Sequence, residues 1–295
     1  MNQKGFAVLA ALLAKLGKGA IREVVVARDP QVLNDYAQPM IDLCQRQGIS
    51  CFERSTYVGT ASESLLTFAI GWRWILPDTR GLVIFHDSLL PRYRGFAPIP
   101  NALINGETVL GVTAIEAAAR YDLGDILAQA KIEIAYPIKV SDAIERVIPL
   151  YLELAIELAQ QFLAGKKFQS TPQNQANASY SLWRDEEDYL IPWHQDSERI
   201  KRFVDALGFP YRGASSFIRN KKVRILDACT VSDLKIENRD PGKVIEVQDG
   251  KPIVVCGQGL LQINEAVSDL DQLSILPLKV FRTRFTNESK SPSES

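Results

Sequence analysis

Two histidines, two methionines and four cysteines are few for 295 residues, and Cys44, Cys51, Cys229 and Cys256 make no Cys-x-x-Cys pair. Such a chain is short of ligands for a zinc site and of bridges for a disulfide framework, so reduced thiols in a cytoplasmic protein are expected. It has no run of about 18 apolar residues that would span a bilayer and no pattern of a secretory leader. It also lacks an excess of either charge: the net charge of −1 exerts no overall pull toward nucleic acid or membrane. No Gly-x-Gly-x-x-Gly follows an early strand, so a dinucleotide fold of that type is not indicated. No internal repeat is visible.

What the chain does have is an ordinary apolar content, 46%, and a length that predicts about two domains. Phe6, Leu9, Leu13 and Leu16 follow helical spacing with Gly17 as the stop. Residues 24–27 are a β-branched run suited to a parallel strand. A helix is expected over 32–47 with Gly48 as its end, a short strand over 49–52, a helix over 62–68 and an apolar stretch over 70–76. In that stretch Trp72 and Trp74 are expected one on each side of a sheet. Further on come a short helix over 98–104, strands over 112–115 and 126–134, and a long helix capped by Ser141 and kinked at Pro149. Strands alternating with helices are the pattern of a doubly wound, mostly parallel α/β sheet. After a Gln-, Asn-, Ser- and Pro-rich stretch, short strands with frequent turns predict a small β-barrel.

The most informative stretch is residues 83–95. It opens as a buried strand, Val83-Ile84-Phe85, and meets His86 where polar residues, Pro91 and Gly95 turn the chain. Ligands of open α/β sheets gather outside the carboxyl ends of strands, and His86 stands at one. The other histidine, His194, is expected at the surface.

From His86 through Ser88-Leu89-Leu90-Pro91 to Arg94-Gly95, then Gly111-Val112-Thr113, then Tyr121-Asp122-Leu123-Gly124-Asp125, the chain resembles the folate-dependent formyltransferases. That family includes methionyl-tRNA formyltransferase, sugar N-formyltransferases and, more distantly, formyltetrahydrofolate hydrolase. The resemblance implies a catalytic pair of His86 and Asp122, the aspartate being that of the family's Asp-x-Gly-Asp segment at the family's spacing. It implies 10-formyltetrahydrofolate as formyl donor, no metal, and folate contact at Ser88, Leu89, Leu90 and Pro91. Arg92, Tyr93 and Arg94 are candidates to meet the anionic tail of folate or of substrate, and equally candidates for plain surface residues. One position departs: the family has Asn two residues before the histidine, and this chain has Ile84. The family also places a strand before residue 6, where this chain is already helical, so the chain is expected to enter at the first strand-to-helix loop.

The expected organisation is a formyltransferase α/β domain over 1–168, a linker over 169–198, an OB-like barrel over 199–287 and a frayed tail over 288–295. Methionyl-tRNA formyltransferases have a basic, Gly-rich loop after the second strand; here residues 28–36 are short and not basic. Arg219, Lys221, Lys222 and Arg224 form a single basic cluster, which is weak evidence for RNA. The expected partner is therefore a small-molecule amine, an amino sugar carried on a nucleotide, with neither nucleic acid nor membrane, and a homodimer is left open. Three alternatives remain: formylation of methionyl-tRNA, hydrolysis of formyltetrahydrofolate, and a non-catalytic folate- or sugar-binding descendant. The hydrolases carry an N-terminal regulatory domain that this sequence does not show. Ile84 and the absent first strand favour the non-catalytic descendant.

Overall fold

The computed structural model describes residues 3–30, 32–57, 65–74, 76 and 79–288. The chain forms two compact units. One comprises Met1–Ile99, Thr108–Ile134 and Asp142–Leu182, the other Pro100–Glu107, Ala135–Ser141 and Trp183–Ser295. The stretch expected as a linker, 169–198, is thus shared between them.

In the first unit, helix α1 (Gln3–Leu16) ends where Gly17 takes φ 78°. Strand β1 (Glu23–Val26) follows, then helix α2 (Ala37–Gln47) and strand β2 (Ser50–Glu53), which pairs parallel with β1. Helix α2 starts five residues later than its periodicity predicts. The Asp35 carboxylate accepts from the N–H groups of Asp29 and Ala37 (both 3.0 Å), and Asn34 Oδ1 accepts from Tyr36 N–H. These side-chain turns compete with a helical start. Gly48 closes the helix in the left-handed region, donating to the carbonyls of Cys44 and Gln45, a favoured helix ending.

Strand β3 (Thr67–Ile70) pairs parallel with β4 (Leu82–His86). The helix expected over 62–68 is corrected at its end: Thr67 and Phe68 belong to β3, while 58–64 lie outside the described residues. The strand ends at Ile70, and Gly71 turns the chain at φ 56°. Trp72 and Trp74 therefore do not divide across a sheet; their rings meet edge to face at 5.2 Å.

Two residues form β5 (Arg94–Gly95), and helix α3 (Pro98–Asn105) follows, belonging to the second unit from Pro100 onward. Strands β6 (Val109–Glu116) and β7 (Ile126–Glu133) are antiparallel, giving a sheet of order β3-β4-β6-β7. Helix α4 (Val140–Leu163) runs on through Pro149, which is exposed. The carbonyl that Pro149 leaves without its helical partner is that of Glu145, also on the exposed side and so open to solvent. Its buried stripe includes Val147, Tyr151, Leu154 and Leu158. Tyr151 stacks on Phe85 of β4 at 5.6 Å, which seats α4 on the sheet. Strand β8 (Tyr180–Ser181) pairs parallel with β5.

In the second unit, helix α5 (Ser197–Leu207) is capped by Asp196, which accepts from Arg199 N–H at 2.8 Å. Strands β9 (Ala214–Ile218), β10 (Lys221–Val231), β11 (Val244–Gln248), β12 (Lys251–Val255), β13 (Leu260–Ser268) and β14 (Phe285–Thr286) follow. They form one antiparallel sheet of order β11-β12-β13-β10-β9-β14. Its two edges meet at an antiparallel bridge between Lys243 and Arg284, with Val244 N–H donating to the Thr283 carbonyl at 3.0 Å and Phe285 N–H to that of Gly242 at 2.8 Å. The sheet curls onto itself as the short strands predict.

Candidate active site

His86 is the last residue of β4, on the side chain face shared with Ile84, and is 7% exposed. Its Nε2 lies 2.7 Å from the carbonyl oxygen of Tyr93. A carbonyl only accepts, so Nε2 carries a proton and donates. Nδ1 lies 3.5 Å from Asp122 Oδ1, beyond an ordinary hydrogen bond and well within ion-pair range once the ring is charged. The other carboxylate oxygen, Oδ2, accepts the Gly95 N–H at 2.7 Å. His86 and Asp122, predicted as a pair, thus face each other.

The loop carrying Asp122 is tightly fitted. A Cβ on Gly124 would stand 1.7 Å from the Glu116 carbonyl oxygen, and one on Gly95 2.4 Å from that of Ser181. Only glycine allows those approaches. Gln173, buried at 7% exposure, donates from Nε2 to the carbonyls of Asp122 (2.8 Å) and Gly124 (2.7 Å). Sequence reasoning missed this residue. It sits in a polar, low-complexity stretch where nothing distinguishes it from its neighbours.

The turn after His86 is knitted to β6 and β7. Ser88 Oγ donates to the Arg92 carbonyl at 2.6 Å, and Thr113 Oγ1 donates to the Ser88 carbonyl at 2.6 Å while accepting from Leu90 N–H at 3.1 Å. Gln129 Nε2 donates to the Leu90 carbonyl at 2.8 Å. Leu90 is buried; Leu89 and Pro91 are half-buried. The three residues that follow separate. Arg92 is exposed, with its guanidinium over the Tyr93 ring. Tyr93 is half-buried and gives its N–H to Ser179 Oγ at 2.9 Å. Arg94 is 1% exposed and points inward, donating to Gln173 Oε1 (3.0 and 2.6 Å), Gln175 Oε1 (2.7 Å) and the Tyr180 hydroxyl (3.3 Å). It is neither a surface residue nor open to a ligand.

Asp87, beside His86, serves the packing. It pairs with the buried Lys4 of α1 and accepts the Tyr151 hydroxyl at 2.8 Å. Burial, and after it the Asp87 charge, hold the Tyr151 hydroxyl well above the usual tyrosine range. His194 is exposed, in contact with Gln195. In the barrel, Arg224 is buried between Glu186 and Asp269, and Lys222 pairs with Glu186 at 2.6 Å. Among the described residues no helix is long and apolar enough to cross a membrane.

Residues 74–149 match the family model for formyl transferase and residues 184–272 that for the formyl transferase C-terminal domain. A methionyl-tRNA formyltransferase from Fervidobacterium nodosum is 31% identical over 237 residues, 76% of this chain and 75% of that protein. One from Ruminiclostridium cellulolyticum is 31% identical over 64% of this chain and 60% of its own length. Among solved structures, the N-formyltransferase from Helicobacter canadensis, in complex with folinic acid and dTDP-3-aminofucose, superposes with a TM-score of 0.65 at 14% identity, covering 89% of this chain and 96% of its own. HypX from Aquifex aeolicus, in complex with tetrahydrofolic acid, gives 0.59 at 20% identity, over 87% of this chain and 46% of HypX. With the His86–Asp122 geometry and the paired α/β and barrel units, these matches place the chain in the folate-dependent formyltransferase family.

Proposed function

We propose that this protein transfers the formyl group of 10-formyltetrahydrofolate to a primary amine of a small substrate, a nucleotide-linked amino sugar. The observation that carries the reading is the His86–Asp122 pair at the carboxyl end of β4. The bond from Nε2–H to the Tyr93 carbonyl fixes the neutral tautomer, leaving the lone pair on Nδ1. Nδ1 then accepts the proton that the attacking amine must lose. Asp122 stabilises the imidazolium so formed, which donates to the tetrahedral oxyanion and returns its proton to the departing folate nitrogen. Bound folate supplies the activated formyl group. The turn at Ser88, Leu89, Leu90 and Pro91 suits its flat ring system. The polar groups of that turn are already bonded within the protein, while Leu89 and Pro91 keep apolar surface.

Two features favour a small acceptor over tRNA. Arg224 and Lys222, the core of the barrel's basic cluster, are paired with carboxylates and offer little charge to phosphates. Beside the pair, Phe96 and Tyr121 present exposed rings 6.2 Å apart, a surface on which a nucleobase stacks. A second reading, a folate-binding protein without turnover, is favoured by Ile84, which has no donor for the oxyanion. Incubation with 10-formyltetrahydrofolate and a panel of amino sugar nucleotides tests both. Tetrahydrofolate and a formylated sugar are expected. Folate binding without product supports the second reading, and product only with aminoacylated tRNA reverses the choice of acceptor.

A further inference from the structure

Asp122 and Tyr93 both occupy the left-handed region, at φ 54° and 56°. For a non-glycine residue this conformation is unfavourable and persists only where neighbours over-determine it. Both sets of neighbours come from one segment, residues 173–181. Ser179 Oγ accepts the Tyr93 N–H at 2.9 Å, and Ser181 Oγ reaches the Tyr93 carbonyl at 3.4 Å. At the other end, Gln173 donates to the carbonyls on both sides of Leu123. An amide can point its NH₂ group either way, but here Arg94 decides. Its Nε and Nη2 both donate to Gln173 Oε1, so the oxygen faces the guanidinium and the nitrogen must face the loop.

We propose that Gln173 is a positioning residue for the pair: its amide, oriented by Arg94, holds the Asp122 backbone in the left-handed form that aims the carboxylate at His86 Nδ1. The proposal rests on reading His86 and Asp122 as the reacting groups. Without the amide nitrogen, two buried carbonyls lose their partner and Asp122 relaxes toward an ordinary φ. Its carboxylate then leaves the position set by the Gly95 N–H. Misplacement of a reacting group by about 1 Å costs on the order of a hundredfold in rate.

The test uses Gln173→Ala and Gln173→Glu. The glutamate keeps an acceptor for Arg94 and gains an ion pair with it, which sustains folding, yet it has no N–H for the loop. Three quantities are read: kcat and KM on an accepted amine, the melting temperature, and the imidazole ¹H–¹⁵N signals. The sequence has two histidines, so His194 is an internal reference. Expected for both variants is a fall in kcat of about ten- to a hundredfold with KM changed less than about threefold, and His86 signals that move while those of His194 stay. A folded Gln173→Glu variant with wild-type kcat and unmoved His86 signals overturns the proposal. If the wild type formylates no amine, the catalytic reading has failed separately. The His86 signals then decide the positioning role alone: moved, it stands; unmoved, it falls.

Discussion

His86 has two neighbours that differ in kind, a carbonyl at 2.7 Å and a carboxylate at 3.5 Å. In the proposed reaction the first determines which nitrogen takes the proton, and the second stabilises the charge that follows. His86→Ala and Asp122→Asn are each expected to lower turnover by at least about a hundredfold. The double variant should fall little further, because the two act as a unit; steady-state kinetics on one amine checks this. At Ile84 the expectation has the opposite sign. Loss of one oxyanion donor costs about a hundred- to a thousandfold, so Ile84→Asn should raise the rate of a slow transferase, measured as tetrahydrofolate released. If Ile84→Asn instead slows the enzyme, another residue supplies the donor. That His86 and Asp122 face each other was legible because the family resemblance gives both residue types and their spacing. Gln173 and the inward turn of Arg94 were not. A buried amide and a buried guanidinium are written with the same letters as solvated ones, and only the fold shows which way they face.

At the scale of the element, boundaries were legible where glycine stops a helix, at Gly17 and Gly48. They were not legible where side chains cap backbone groups: the Asp35 carboxylate, taking the N–H groups of Asp29 and Ala37, keeps residues 32–36 out of α2 despite the apolar spacing there. The loop between β6 and β7 depends on one small residue. Gly124 sits against the Glu116 carbonyl, so Gly124→Ala forces the two backbones apart. A loss of about 3 kcal/mol is expected, at the upper end of overpacking costs, together with most of the activity. Denaturant unfolding and kcat measured on one preparation check both.

For the whole molecule, the α/β class and the barrel-like antiparallel sheet were legible from the spacing of strands and turns. The direction of pairing in β6 and β7 and the closure of the barrel at Lys243 and Arg284 depend on contacts distant in sequence, which local periodicity does not encode. Stability should decline at alkaline pH. Burial pushes the Cys44 and Cys256 thiols up to about 12 from an ordinary 9.0, and Tyr151 lies well above 10.0. These groups keep their protons in the folded chain while the unfolded chain releases them. Their contribution is complete below about pH 9 and is lost as pH rises toward 12. Melting temperatures should therefore fall from about pH 9 upward, and less steeply in Cys256→Ala. A melting temperature flat to pH 11 would mean that these thiols ionise freely in the native state.

Strands β1 and β2 pair with each other, as a sheet separate from the four-stranded one. They share a small apolar cluster with α1 and α2, centred on Leu9, Val26, Met40 and Cys44. In β4 and β6, by contrast, each strand has a bonded neighbour on both sides. A two-stranded ladder with its own cluster opens at less cost than a strand held from both flanks. Amide protons on the β1–β2 ladder, such as that of Val25, should exchange with deuterium sooner than those of Phe85 and Ala114. The molecule would then breathe at that end while the strand bearing His86 stays shut. Equal protection across both ladders would mean that they open as one cooperative body.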